Sequence, residues 1–342
     1  MRLKSKVVLI SLLILCLIVM VSCNNENDSL ENNVKTNEIS TSNDIDEVDE
    51  SDMSINDETT VSEDEELDLP LIVENQEVFT EELTKIVKRQ MYRDESIDLN
   101  RLVFNMIAYI GNPDTYLRDE LIYTAFHKIL AFDILDTEQK KNIFYALLDD
   151  DKLMYKVGEE NSESVFTRTF SVLILYRVLL SDLENPYLTD EEHLYIYERM
   201  TEYLQAEKDY RGYIDDESGW AHSVAHSGDL ISALAQYEII DEEMLLNLLN
   251  LIADKVKTHT HEYVDGEPDR LRAGIKVIFD RELISDEALV LWVESIINYE
   301  KTNDEAKDVV TKRNIDNFIR SLSGLNEHAI NDVITEYKSQ IK

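Results

Sequence analysis

Apolar residues recur three and four positions apart along nearly all of residues 74–342, as in Leu102, Phe104, Met106, Ile107 and Ile110, and again in Leu173, Leu175, Val178 and Leu179. Alternation with a period of two, the mark of a half-buried strand, is hard to find, so the pattern reads as helix after helix. Pro113, Pro186 and Pro268 fall between the periodic runs, and Pro70 stands just ahead of them. Asp136 with Gln139, and Thr189 with Glu192, have the spacing of capping boxes. Asp241, Ser285 and Asn303 precede acidic first turns, where negative charge suits the helix dipole. The pattern divides into eleven or twelve helices, at about 76–92, 97–111, 114–133, 137–150, 163–182, 190–209, 220–238, 242–257, 268–281, 286–300, 304–322 and 325–340. Short connections make neighbours antiparallel. An all-α stack of such pairs forms either a HEAT-like solenoid, the preferred reading, or a closed α/α toroid, and no strict repeat of fixed period decides between them. One short extended piece is expected at His259–Val264.

The first seventy residues follow different rules. Arg2, Lys4 and Lys6 precede a charge-free apolar run from Val7 to Val21, the design of a secretory signal over residues 1–22. Met20-Val21-Ser22-Cys23 resembles the lipobox of bacterial lipoproteins, with methionine where leucine is usual. That resemblance implies a diacylated Cys23 at the mature N-terminus, anchored in the bacterial cell membrane and facing away from the cytoplasm. Cys16 and Cys23 are the two cysteines of the chain, so the remainder has no disulfide and no thiolate metal site.

Residues 24–70 hold seventeen acidic side chains against one base, Lys35, with eight asparagines and neither glycine nor an aromatic ring. Such a segment cannot bury enough apolar surface to offset the entropy of ordering it, so residues 23–70 are expected to be a disordered, self-repelling stalk. Extended by like charge, it would hold residues 71–342 on the order of 50 Å or more from a bilayer. The all-helical part at 71–342 is itself acidic, with 54 acids against 29 bases. Without a basic run to meet phosphates, nucleic acid is not an expected partner. A protein or a small molecule remains the class of ligand to seek.

The stretch "RGYIDDESGWAHSVAHSGDL", residues 211–230, concentrates three of the eight glycines, one of the two tryptophans and two of the seven histidines. With about 100° per residue, His222, His226 and Asp229 fall within roughly 60° of one another on a helix. Val224, Leu230, Ile231 and Leu234 lie largely opposite and are assigned to the core. Ala221, Ala225, Gly228 and Ser232 form a third face, small enough for another helix to approach closely. The His-His-Asp edge is therefore expected to face a groove or solvent.

Histidines four apart on a helix can share one divalent metal, and an acidic residue one turn on can add a ligand. His222, His226 and Asp229 are the candidates, with Glu267 as the leading fourth ligand and Asp269, His259 and His261 as alternatives. The zinc-protease arrangement is not met, because Ser223 follows His222 where a catalytic glutamate is needed. In the plainer reading the two histidines hydrogen-bond to neighbouring helices and Asp229 accepts from Trp220 or Arg211. Arg168, embedded in "VFTRTFSVLILYRVLL", and Arg118-Asp119 lie in apolar runs. Each is expected either to pair with a carboxylate or to bind an anionic ligand. The groove candidates are thus His222, His226, Asp229, Trp220, Arg168 and Arg211.

Gly212-Tyr213 followed by Gly219-Trp220-x-His222-x-x-x-His226-x-x-Asp229 resembles the signature of a bacterial family known as domain of unknown function 2785. "VFTRTFSVL" at 165–173, "LRDEL" at 117–121 and "DRLRAGI" at 269–275 are similar to its other recurring segments. The resemblance spans most of 75–342 and implies a helical domain without naming a reaction. Two functions remain: a membrane-anchored binding module with its groove beside His222, His226 and Asp229, or a metal-dependent hydrolase or lyase using the same residues, with Glu267 as base.

Overall fold

Helix caps explain where the elements begin. In the computed structural model, Asp136 and Thr189 close full capping boxes at the starts of their helices, and Asp241 and Ser285 accept hydrogen bonds from the first turns that follow them. Near residue 303 the cap is Asp304 rather than Asn303. The structure describes residues 73–325 and 328–340. The signal, Cys23 and the acidic stalk lie outside the described residues.

Among the described residues there are twelve α-helices, one π-helical segment and no strand. They are α1 (Gln76–Arg89), α2 (Leu99–Ala108), the π-helical segment Tyr116–Tyr123 running into α3 (Thr124–Ala131), α4 (Thr137–Leu148), α5 (Ser164–Glu184), α6 (Asp190–Ala206), α7 (Ser223–Leu234), α8 (Glu242–Val256), α9 (Glu267–Asp280), α10 (Asp286–Ile297), α11 (Glu305–Leu322) and α12 (His328–Gln340). The fold is all-α, as the period of the apolar residues predicts. His259–Val264 forms no strand, and a lone bridge joins Tyr213 to Trp220. The expected extended piece is thus replaced by a loop, which Asn314 secures by accepting from the Tyr263 N–H and donating to the His261 carbonyl.

Contacts skip along the chain. The odd-numbered helices touch in the order α3, α5, α7, α9, α11, while α6, α8, α10 and α12 touch in a second series. The two most extensive contacts are α7 with α9 and α7 with α5. α7 consequently has almost no free face. Val224, Leu230, Ile231 and Leu234 are buried as expected, but so are Ser223, Ala225, His226, Ser227 and Ser232. A helix clamped between two others has no exposed edge to offer.

α5 occupies the same kind of position. Alone among the described helices it is long and apolar enough to cross a membrane, yet 83% of its most apolar window is buried against its neighbours. Its length is satisfied by protein, each fully buried Val, Leu or Phe contributing about 1.5–3 kcal/mol.

Candidate functional site

The segment that leads into α7 is a tight hairpin. The Ile214 N–H donates to the Gly219 carbonyl at 2.9 Å, the Ala221 N–H to Gly212 at 2.9 Å and the His222 N–H to Arg211 at 3.0 Å. The Asp215 carboxylate caps the turn by accepting from the Glu217 and Ser218 N–H groups. Arg118, wholly buried in the π-helical segment, donates to the Ser218 carbonyl at 2.7 Å and to its neighbour Asp119. Its guanidinium lies 4.0 Å from the centre of the Phe166 ring, a cation-π contact. A π-helical turn is thereby tied to the hairpin tip.

The hairpin delivers two aromatic rings to the surface. Tyr213 and Trp220 meet edge to face with centroids 4.9 Å apart and remain 41% and 40% exposed. Trp220 in turn lies 4.3 Å from the His222 ring. α7 begins at Ser223, three residues later than the apolar pattern suggests, because His222 is left-handed at φ 54°. That conformation costs a non-glycine residue energy and turns the side chain out of the helical stripe.

The turned imidazole meets carboxylates from the connection between α8 and α9. Asp265 and Gly266 form a turn, and Glu267 opens α9 with Pro268 beside it. One ligand-capable atom from each of His222, Asp265 and Glu267 lies within 4.8 Å of the others. The Tyr213 N–H holds Asp265 at 2.9 Å, and the Asp265 N–H holds Glu267 Oε2 at 2.9 Å. Glu267 is 1% exposed, and both its Oε1 and His222 Nε2 are buried without a hydrogen-bond partner. A side chain at Gly212 would overlap the Asp265 carboxylate and come within 2.7 Å of Glu267 Oε1, so only glycine lets the hairpin close over this pair.

Burial dominates the electrostatics. It pushes His222 down to about 4, helped by the charge of Arg270, so that the imidazole is neutral at neutral pH. It pushes Glu267 up, and the neighbouring Asp265 charge adds to that rise.

The candidates read from the sequence take separate places. His222 and Glu267 come together, whereas His226 and Asp229 do not join them. His226 is buried in α7, with Nδ1 3.2 Å from the Thr169 carbonyl and its ring edge-on to Phe170. Asp229 is held by both arms of the Arg270 guanidinium, with Nε at 2.7 Å. The expectation of a His-His-Asp edge facing a groove or solvent is corrected by this packing, and for His226 the plainer reading of a bond to a neighbouring helix holds: α5 covers His226, and α9 brings a cation onto Asp229.

Arg168 makes the ion pair with a carboxylate that its apolar setting predicts, and the alternative of a place in a ligand groove is corrected. It is fully buried and forked onto Glu207 at 2.6 and 3.0 Å, with further bonds to Tyr155, Lys156 and Ser164. Each of its three guanidinium nitrogens is engaged within the chain. Arg211 is committed to Asp209 and to the Ser162 carbonyl, and its own carbonyl positions His222. Asp269 is exposed beside Arg272, and neither His259 nor His261 belongs to the convergent group.

Asp265 and Tyr213 are the members that residue spacing misses. The Asp-Gly dipeptide before Glu267-Pro268 signals a turn into a helix, but nothing local shows which distant histidine that turn will face. What the geometry defines is an all-helical domain with an aromatic shelf beside a half-buried imidazole and two carboxylates. The family described as "Protein of unknown function (DUF2785)" matches residues 153–323. The chain belongs to this family. The match is narrower than 75–342 and leaves "LRDEL" outside it, while including the whole hairpin, α5, α7 and α9. No curated protein and no solved structure matches.

Proposed function

We propose that the protein is a bacterial lipoprotein, anchored through Cys23 and facing away from the cytoplasm, whose helical domain is a binding module for a hydroxyl-bearing ring such as a glycan unit. The observation that carries this reading is the Tyr213–Trp220 pair, two large rings in edge-to-face contact, each about two-fifths exposed, with the carboxylates of Asp216 and Asp265 bonded to Tyr213 itself. A sugar ring can lay its C–H face on such a shelf, while its hydroxyls donate to nearby carboxylates, here Asp216 and Asp265. The skipping contacts of the helices suit a HEAT-like stack, with an α/α toroid as the alternative closure. The acidic stalk would set the distance of the shelf from the membrane.

A glycan array probed with wild-type protein and the Trp220→Ala variant tests the reading. Retention of a subset of glycans by the wild type, lost in the variant, is the expected result. Binding of no glycan, or equal binding by both, ends it. The anchor is tested separately by fatty-acid labelling, which is expected to disappear in Cys23→Ser. A metal-dependent hydrolase or lyase is the second reading, favoured by the carboxylates that meet His222 beside the shelf.

A further inference from the structure

Three polar side chains beside the shelf are arranged in a way that hydrogen bonding within the chain does not explain. Glu267 is almost wholly buried, yet one of its oxygens has no donor, and His222 Nε2 is buried without a partner beside it. A buried unsatisfied polar atom costs about 1–3 kcal/mol, and two on residues of one convergent group call for a shared occupant. The same group includes Asp265, whose carboxylate is steered by the Tyr213 N–H as that of Glu267 is by the Asp265 N–H. Backbone donors that orient carboxylates in this manner are what ligand sets around metals use.

We propose that His222 Nε2, Asp265 and Glu267 Oε1 bind one divalent transition-metal ion of the Zn2+ or Mn2+ class. One imidazole with two carboxylates is a mixed nitrogen and oxygen set, which favours these ions over Mg2+ and Ca2+, whose sites are built from oxygen alone. A cation would relieve the repulsion between Asp265 and Glu267. Three protein ligands leave at least one position open toward the shelf. There the ion would take an oxygen of a bound ligand, such as a pair of sugar hydroxyls. His226 is excluded by its bond to Thr169, and Asp229 by Arg270.

The inference deepens the binding-module reading and rests on it only for the location of the ligand. Full-length chain, purified in detergent and stripped with a chelator, is dialysed against Zn2+ or Mn2+ with millimolar Mg2+ present to fill weak sites on the acidic surface. Bound metal is then measured by elemental analysis. One equivalent is expected in the wild type and in Asp254→Asn, an exposed acidic control. His222→Ala and Glu267→Gln are expected to lose it, with affinity falling by more than the ~10–100-fold typical of the residues behind a ligand, while far-UV circular dichroism is unchanged. No bound metal in the wild type, or an undiminished equivalent in both folded variants, overturns the site.

Trp220 gives a second measurement that needs no ligand variant. Its ring touches His222, whereas Trp292 is buried near Phe279 and Phe318. Titrating the stripped wild type with metal is expected to change Trp220 emission up to one equivalent, with the change absent in Trp220→Phe; a flat titration counts against the site. Metal without glycan capture upholds the ion and ends the glycan reading. Trp220-dependent capture by chelated protein, together with no bound metal, does the reverse.

Discussion

A charged side chain in an apolar environment is stable only when its partners come with it, and Arg168 is the clearest instance. Each of its three guanidinium nitrogens is engaged, by Glu207, Ser164 and two carbonyls of the Tyr155–Lys156 turn. Removing one partner strands the other, so Arg168→Ala and Glu207→Ala are each expected to cost about 3–5 kcal/mol in urea unfolding. Their combined loss is expected to fall well short of the sum. His226→Ala, by contrast, is expected to lower stability by about 1–3 kcal/mol, through its lost carbonyl bond and ring contact, and to leave metal stoichiometry untouched. A melting curve paired with elemental analysis separates those effects. At this scale the sequence was a partial guide. Histidines at helical spacing marked the right neighbourhood, and Glu267 was within reach of the argument. The left-handed turn at His222 was not, since a backbone angle set by the hairpin overrides the projection of an ideal helix.

Elements were far more legible than contacts between them. Twelve stretches of period 3.6 and their caps are local properties, written in neighbouring residues, and the helices fall close to the expected spans. Which face meets which helix depends on partners dozens of residues away. Of the stripe Ala221, Ala225, Gly228 and Ser232, Gly228 makes the expected close approach, and α9 is its partner, whereas Ala221 precedes α7 and packs against Val165 and Phe166: a Cβ at Gly228 would lie 2.7 Å from the Arg270 carbonyl oxygen, and one at Gly274 would lie 2.9 Å from the Gly228 oxygen. Gly228→Ala is therefore expected to destabilise by about 1–3 kcal/mol, as overpacking does, even though alanine is the better helix former by roughly 1 kcal/mol. Chemical denaturation of this single variant decides between the two tendencies. Separating α9 from α7 also moves Glu267 away from His222, so any metal affinity is expected to fall with stability.

On the scale of the whole molecule, buried titratable groups shape the response to pH. Lys255 is enclosed between the Glu207 carbonyl and the Tyr210 hydroxyl, and burial pushes it down to about 8 from its ordinary 10.5. Between those values the unfolded chain binds a proton that the folded chain has released. Stability from this residue therefore rises with pH across that window and is absent below it. The difference in unfolding free energy between wild type and Lys255→Met is expected to shift in favour of the wild type by up to about 3 kcal/mol between pH 8 and 10.5. Measuring the difference cancels the tyrosines that titrate in the same range.

The position of α7 between α5 and α9 carries one more consequence. Helices that touch mainly the next member of a series can come apart at a joint, and each side then retains its own packing. An opening at α7 would expose its amides and pull the hairpin from the Asp265–Glu267 turn, while leaving the helices on both flanks folded. Hydrogen exchange in mild denaturant is expected to report whether α7 opens at a lower free energy than α5. If it does, the site has its own melting point, and recognition fails before helicity does.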